Sequence, residues 1–298
     1  MSAATLFLSA VGSRRTRLRH LRGGLFWVLC GVALAVIVAP AVAVVVGVLI
    51  KAAPVLKLSL LTNTTQDVQN PGLQNAIFGT LAFAIGVLVI AGPIGILGGI
   101  YLAEFAPRRY GGAMRFFSAV LAGVPSIVVG FVAYVALVVG LNWGYSLLSG
   151  VVALSLIILP YIIKTTEVSL TQVPRSLREA ASALGLSRIT TIRKVLLPPA
   201  LPGIVSGLVI AVAISTGETA PLLFTANFSN FNPTPVLFHN PVGYLTYVTY
   251  YYIGLPSAQD QALASAAAGI TILMILLLIF GGRLITARQR KMVARLDV

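Results

Sequence analysis

One carboxylate stands inside a long apolar stretch in the second half of the chain, where a charged side chain is out of place. Glu218 has neighbours that are small or carry hydroxyls: Thr216, Gly217 and Thr219. An ionised side chain at the centre of a bilayer costs at least about 3 kcal/mol, so such residues usually face a cavity, a partner or water. These four residues are therefore predicted to line a translocation pathway. The alternative is a solvated glutamate near the outer surface that only helps its helix to pack.

The sequence lacks the residue sets that catalysis or metal binding would need. No lysine follows a glycine, so there is no Gly-x4-Gly-Lys-Ser/Thr phosphate loop, and the chain is not expected to hydrolyse ATP. His20 and His239 are isolated and far apart, and Cys30 is the only cysteine. We therefore expect no enzyme activity in this chain, no cofactor, no metal site and no internal disulfide.

Composition places the chain in a membrane. Of its 298 residues, 58% are hydrophobic and only 9% are charged, whereas a soluble domain carries roughly 25% charged residues. The net charge of +14 comes from short basic clusters between apolar runs. This pattern is typical of loops that hold a membrane protein's orientation, and it argues against nucleic-acid binding.

Uncharged apolar runs predict six transmembrane helices, since about 20 residues are needed to cross the hydrocarbon core. The longest run, residues 116–163, exceeds one helix, and Asn142, Trp143 and Gly144 divide it into a hairpin. The predicted spans are Leu25–Ile50, Asn75–Leu102, Phe116–Leu141, Leu147–Ile163, Leu201–Leu223 and Ala262–Gly282.

The distribution of basic residues predicts the orientation of these spans. Of the 21 Lys and Arg residues, only Lys51 and Lys57 fall on one side of the membrane, and all others fall on the opposite side. Positive residues favour the cytoplasmic side, so both termini are predicted to be cytoplasmic. The expected parts are a basic segment at 1–24, a first span at 25–50, a core of five spans at 74–282 and a basic tail at 283–298.

Two other topologies are weaker. The basic stretch before the first apolar run, with Ala41-Val42-Ala43 after it, imitates a cleavable signal peptide, but the run continues to Ile50 and is long enough to anchor. A seventh span at 235–256 would place the basic tail outside the cell. The tyrosines of that stretch are instead expected to pack at the membrane interface: Tyr244, Tyr247, Tyr250, Tyr251 and Tyr252.

The longest polar stretch on the predicted cytoplasmic side, residues 164–196, has helix signals. Ser176 and Glu179 have the spacing of a capping box, which predicts a helix start. Gly185 is expected to end that helix, and Ser187 to cap a second one over 188–196. The pair Pro198-Pro199 is expected to stop the second helix before the fifth span. The loop is therefore predicted to form helix, glycine turn, helix.

This loop resembles the EAA signature of ABC importer permeases. The matching residues are Glu179, Ala180, Ala181, Gly185, Val195, Leu197 and Pro198, with Val195 where the family usually has Ile. The resemblance implies a type I ABC importer permease fold in which this segment is the coupling helix, seated in a cleft of a separate ATPase subunit. The small Ala180 and Ala181 would then let the partner approach closely, and basic residues such as Arg178 would complement an acidic rim.

Four further stretches resemble phosphate-specific transport permeases: residues 122–130, 159–167, 173–176 and 217–223. The last of them resembles the PstA-type subunit in particular. The resemblance implies a subunit of the bacterial cytoplasmic membrane that imports phosphate. Its implied partners are a second, PstC-type permease, two ATP-binding subunits and an extracytoplasmic phosphate-binding protein. Many relatives carry Arg where Ile214 stands here, so the second permease is expected to supply positive charge for the anion.

Two other functions remain open from the residues alone. A similar permease could import another oxyanion, such as sulfate or molybdate. A secondary transporter could use Glu218 as a proton or ion relay, but it would be expected to show inverted repeats and charged residues near the midplane, which the sequence lacks. Transport that persists without ATP would favour the second alternative.

Overall fold

The computed structural model describes the backbone of residues 3–67 and 69–294 and the side chains of residues 23–67, 69–107 and 109–287. Over this range the secondary structure is entirely helical. The helices are α1 (Ala3–Ala52), α2 (Ser59–Thr62), α3 (Gln74–Ile100), α4 (Arg108–Gly123), α5 (Ser126–Ala133), α6 (Leu147–Thr171), α7 (Arg175–Ala183), α8 (Arg188–Thr190), α9 (Leu197–Gly217), α10 (Ala220–Thr225), α11 (Leu245–Tyr252) and α12 (Ala258–Ala294). Three π-helical segments extend or join them: Tyr101–Phe105, Tyr134–Gly140 and Thr191–Leu196.

Five of the described helical stretches are long and apolar enough to cross a membrane: Gly23–Val55, Gln74–Phe105, Leu147–Thr171, Arg188–Gly217 and Ala258–Ala287. A bent pair, α4 and α5, makes a sixth if it is taken as one span. The predicted first, second, fourth and sixth spans each lie within one of these stretches. An all-helical membrane protein is therefore confirmed, and the third and fifth spans need correction.

The third predicted span, Phe116–Leu141, is not one straight helix. Its two halves meet at an angle of 97°. Pro125 lies between them and has no N–H to continue the ladder of α4, and Val124 adopts an extended conformation (φ −71°, ψ 130°). A residue before proline disfavours helical dihedrals, so the chain turns at this point.

The fifth span begins and ends earlier than predicted. Pro198-Pro199 does not stop the preceding helix, because Arg188–Gly217 runs as one helical stretch. The π-helical segment Thr191–Leu196 precedes the prolines. Its wider turn accommodates Pro198 and Pro199, which have no N–H to donate to the usual i−4 carbonyl. At the other end, α9 stops at Gly217 rather than continuing to Leu223.

Residues 1–50 and 51–298 form two separate compact units. The first is the helix α1, whose described side chains are almost all exposed, as suits contact with lipid acyl chains. The second unit is built on α3, α6 and α9, with α12 packed against α9 and α11. Its core holds Phe83, Val87, Leu154 and Ala211.

Glycines let the helices of the second unit approach closely. A Cβ added at Gly99 of α3 would lie 2.5 Å from the Cβ of Thr166 in α6. One turn earlier, a Cβ at Gly95 would lie 2.6 Å from a methyl carbon of Ile162. Close packing at small residues is the main source of helix association in lipid, so this contact fixes α3 against α6.

The stretch rejected as a seventh span forms only the eight-residue helix α11, Leu245–Tyr252. The interfacial interpretation is wrong for Tyr244, which is 1% exposed and belongs to the core. Its burial raises the pKa of the Tyr244 hydroxyl. Tyr250 and Tyr251 are exposed, and their place at the membrane interface stays a prediction.

Candidate functional site

The predicted coupling segment folds as helix, glycine turn, helix. Gly185 has a φ of +68°, a left-handed conformation that glycine tolerates best. Its N–H donates to the carbonyl of Ser182, and the N–H of Leu186 donates to the carbonyl of Ala181. The Ser187 hydroxyl then accepts the N–H of Thr190 and caps α8. The glycine turn and the second cap are therefore confirmed.

The predicted capping box at Ser176 and Glu179 is wrong. Helix α7 begins at Arg175, and Pro174 is its N-cap without a side-chain hydrogen bond. Because Pro174 is already extended (φ −54°, ψ 139°), the chain enters the helix one residue before Ser176 could cap it. Ser176 thus lies in the first helical turn.

Both arms of this segment are tied to the π-helical end of α3. The Arg178 guanidinium lies 2.5 Å from a Glu104 carboxylate oxygen, and it also donates to the carbonyl of Leu170 at 2.8 Å. Arg188, at the start of α8, donates to the Glu104 backbone carbonyl and stacks 4.5 Å from the centroid of the Phe105 ring. Arg178 therefore positions α7 within the chain, in contrast to the expectation that it meets an acidic rim on a partner.

The EAA-like residues divide into an exposed group and a packed group. Glu179, Ala180 and Gly185 are exposed on α7 and the turn after it. Ala181 is 2% exposed and packs inward, so the expectation that it lets a partner approach is wrong. The remaining three, Val195, Leu197 and Pro198, are half-buried where the segment joins α9.

Two large apolar side chains stand out beside the exposed group. Leu184, just before the glycine turn, is 78% exposed, and Ile189 in α8 is 72% exposed. Neither was predicted from the sequence as a site residue, although an apolar residue lies on each side of Gly185. Together with Glu179, Ala180 and Gly185 they form a surface that we call the elbow.

Glu218 occupies a break in the fifth span. Helix α9 ends at Gly217, Glu218 is extended (φ −74°, ψ 135°), and α10 begins at Ala220. The Glu218 carbonyl accepts the Thr246 hydroxyl at 3.0 Å. Its half-buried carboxylate forms no ion pair with any side chain that the structure describes.

The hydroxyls predicted beside Glu218 differ in position. Thr216 is 5% exposed, and its hydroxyl donates to the Val212 carbonyl of its own helix at 2.8 Å. Thr219 is half-buried at the break, and Gly217 is exposed. Gly217, Glu218 and Thr219 are therefore accessible at the end of α9. The Thr216 hydroxyl is instead hydrogen-bonded within its own helix.

The sequence suggested that Glu218 is the only acidic residue within a span. Others lie within the described membrane-spanning stretches. Glu104 lies within Gln74–Phe105 and Glu167 within Leu147–Thr171. Glu167 lies 2.5 Å from Arg115 and 3.8 Å from Lys164. Helix α6 continues eight residues beyond the predicted span end at Ile163 and so includes Lys164.

The family of the chain follows from its sequence profile. A binding-protein-dependent transport system inner membrane component is the description of the family that matches residues 95–293. The chain belongs to this family. It is thus the multi-pass inner membrane part of such a transport system and not its ATPase.

Similar proteins agree with this membership. The phosphate transport system permease protein PstA 2 of Mycobacterium bovis is 46% identical over 273 residues, which cover 92% of this chain and 90% of that protein. The phosphate transport system permease protein PstA of Yersinia pestis is 37% identical over 238 residues, with 79% and 80% covered.

Two solved structures show the same fold. One is the inward-facing MetNI methionine ABC transporter, with a TM-score of 0.55 and 22% identity, covering 73% of this chain and 94% of that chain. The other is a bacterial ABC transporter that imports alginate, with a TM-score of 0.56 and 18% identity, covering 75% and 81%. The permease fold expected from the EAA-like residues is thereby confirmed.

Proposed function

We propose that this permease imports inorganic phosphate, as one of two permease subunits in a complex with two ATP-binding subunits and an extracytoplasmic binding protein. The observation that carries the proposal is the 46% identity, over 92% of this chain, to a phosphate transport permease. The similarity extends over almost the whole chain and is not confined to one shared motif.

In this proposal the elbow binds an ATP-binding subunit on the cytoplasmic side. Force applied to α7 passes to α3 through the Arg178–Glu104 ion pair. Force applied to α8 passes directly into the continuous stretch Arg188–Gly217. The predicted coupling loop, residues 164–196, then shortens to residues 172–196. Lys164 belongs to α6, which ends at Thr171.

At the far end of the same stretch, the break exposes Glu218 on the translocation pathway. The 21 residues of α9 span about 31 Å at 1.5 Å per residue, so Glu218 lies near the outer side. Interrupted helices at membrane depth are tolerated where the free backbone groups face a cavity or protein. Gly217 and Thr219 would share this part of the pathway.

Uptake of labelled phosphate by the reconstituted complex tests this function. We expect uptake that requires both ATP and the binding protein, and that excess sulfate or molybdate does not reduce. Strong competition by either anion would indicate a different oxyanion substrate. Uptake that continues without ATP would favour a secondary transporter.

Glu218→Gln is expected to lower phosphate uptake about tenfold or more while the complex still assembles, because hydrogen bonds to a charged group contribute roughly 1.5–3 kcal/mol. Asp260→Asn, at the start of α12, removes a carboxylate outside the pathway and serves as the matched control with normal uptake. Normal uptake by the Glu218 variant would remove this carboxylate from the mechanism.

A further inference from the structure

A cavity of about 460 Å³ lies between α4, α6 and the last turns of α9. Its polar lining consists of Arg115 and Ser118 from α4 and Tyr161, Lys164 and Glu167 from α6. Two cations and one carboxylate give this lining an excess of positive charge. The rest of the wall is apolar, so these few polar groups would set the orientation of a bound ion.

Glu167 is the most constrained of these groups. Its side chain is only 7% exposed, and one carboxylate oxygen lies 2.5 Å from the Arg115 Nε. The other oxygen, Oε2, is buried and accepts no hydrogen bond from any described group. The Lys164 ammonium is 3.8 Å from it, beyond hydrogen-bond distance.

A buried carboxylate oxygen without a donor is costly, since it has lost water and gained no partner. Lys164 and Arg115 are 66% and 44% exposed, so each retains N–H groups that an anion could reach. The cavity thus offers donors for a negatively charged ion. The acceptor without a partner, Glu167 Oε2, lies behind the cavity wall and would reach the same ion only if the carboxylate turned.

We propose that this cavity is an inner subsite that binds a protonated tetrahedral oxyanion, which is phosphate if the proposed function holds. Its charged oxygens accept from Lys164 and Arg115, and its P–OH group donates to Glu167 Oε2 once a turn of that carboxylate opens the buried oxygen to the cavity. Sulfate is fully deprotonated at neutral pH and would place an acceptor against this oxygen. An unpaired buried acceptor discriminates strongly against the ligand that lacks the donor.

The position of the cavity fits an ion on its way inward. Ile214 forms part of its wall, and this residue lies four positions, about one helical turn, before Glu218. The charged end of the cavity lies toward the side that the basic clusters assign to the cytoplasm. An ion leaving the break at Glu218 would therefore reach Lys164 and Glu167 next.

The test measures binding of labelled inorganic phosphate to the nucleotide-free complex without its binding protein. Lys164→Gln is expected to weaken phosphate binding about tenfold, because a charge-assisted hydrogen bond is lost. Lys57→Gln, which removes the same charge on the predicted outer side, should bind phosphate as the wild type does. Unchanged binding by the Lys164 variant would overturn the subsite.

Selectivity gives a second readout. The wild-type complex should bind phosphate and not sulfate, whereas Glu167→Gln, which can donate through its amide, should bind sulfate as well. Equal binding of the two anions by the wild type would overturn the role of Glu167. Lys164 is largely exposed, so its variant keeps the test informative if the Glu167 variant fails to assemble.

The two proposals fail in different ways. A wild-type complex that takes up phosphate while its Lys164 variant binds phosphate normally contradicts only the subsite. A wild-type complex that takes up no phosphate contradicts the proposed function itself.

Discussion

At the scale of single residues, two ion pairs link helical elements that are far apart in the sequence. Glu104 and Glu167 are 11% and 7% exposed, and each lies within 2.5 Å of an arginine from another element. Removing an arginine leaves a largely buried carboxylate without its counter-charge, which is destabilising, and the 44% and 27% exposure of Arg115 and Arg178 lets water screen part of that cost. The pairs therefore hold specific elements together and are not exposed surface ion pairs of little energetic consequence.

Reversal of Arg178 tests the first pair. Arg178→Glu places two carboxylates together, so we expect a lower melting temperature and loss of co-purification with the ATP-binding subunit. Glu104→Arg combined with Arg178→Glu should restore both in part. Arg175→Glu makes the same charge change on an exposed residue of the same helix and should leave the melting temperature unchanged. Unchanged co-purification by the Arg178 variant would argue strongly against its role.

Local sequence predicted some of these residues and missed others for a clear reason. Gly185 and Ser187 act through backbone groups a few positions away, so their roles could be predicted from spacing. Arg115 and Glu167 are 52 positions apart, and Glu104 and Arg178 are 74 positions apart. Only the packing of α4 against α6, and of α7 beside the π-helical segment Tyr101–Phe105, brings such partners together, and no short motif records it.

At the scale of elements, hydropathy located the helices well and their interruptions poorly. An uninterrupted apolar run predicts a span, but residues 116–141 are apolar on both sides of their 97° bend. Pro125 was the only local sign of that bend. The error at Pro198-Pro199 was the opposite one, since a helix end was predicted where the helical stretch continues. A proline near a helix start costs little when a wider π-helical turn precedes it.

Gly185→Val tests the turn between α7 and α8. A β-branched residue at a φ of +68° costs at least about 1–2 kcal/mol, so the ATP-binding subunit should bind roughly fivefold more weakly or worse. No atom lies within 4 Å of a Cβ added at Gly185, so steric clash would not explain the loss. Gly112 of α4 has equally open surroundings but a helical backbone, and Gly112→Val should bind normally.

At the scale of the whole molecule, one helical stretch joins the elbow to the break at Glu218. The segment α8, its π-helical continuation and α9 form one stretch, Arg188–Gly217, from Ile189 on the elbow to the residue before Glu218. If the elbow binds an ATP-binding subunit as proposed, a push there would reach Glu218 without crossing a flexible joint. Ile189 of the elbow lies near the start of this stretch, and Glu218 directly follows its end.

Crosslinking from the elbow tests this account most directly. Cys30 is the only cysteine, so Cys30→Ser gives a background for Leu184→Cys at the elbow and Leu58→Cys on the predicted outer side. Both leucines are 78% exposed, so a thiol reagent should reach cysteines at the two positions equally well. We predict that a short bifunctional thiol reagent joins position 184, and not position 58, to the ATP-binding subunit. Labelling of position 184 from outside the cell, or no crosslink to that subunit, would contradict the account.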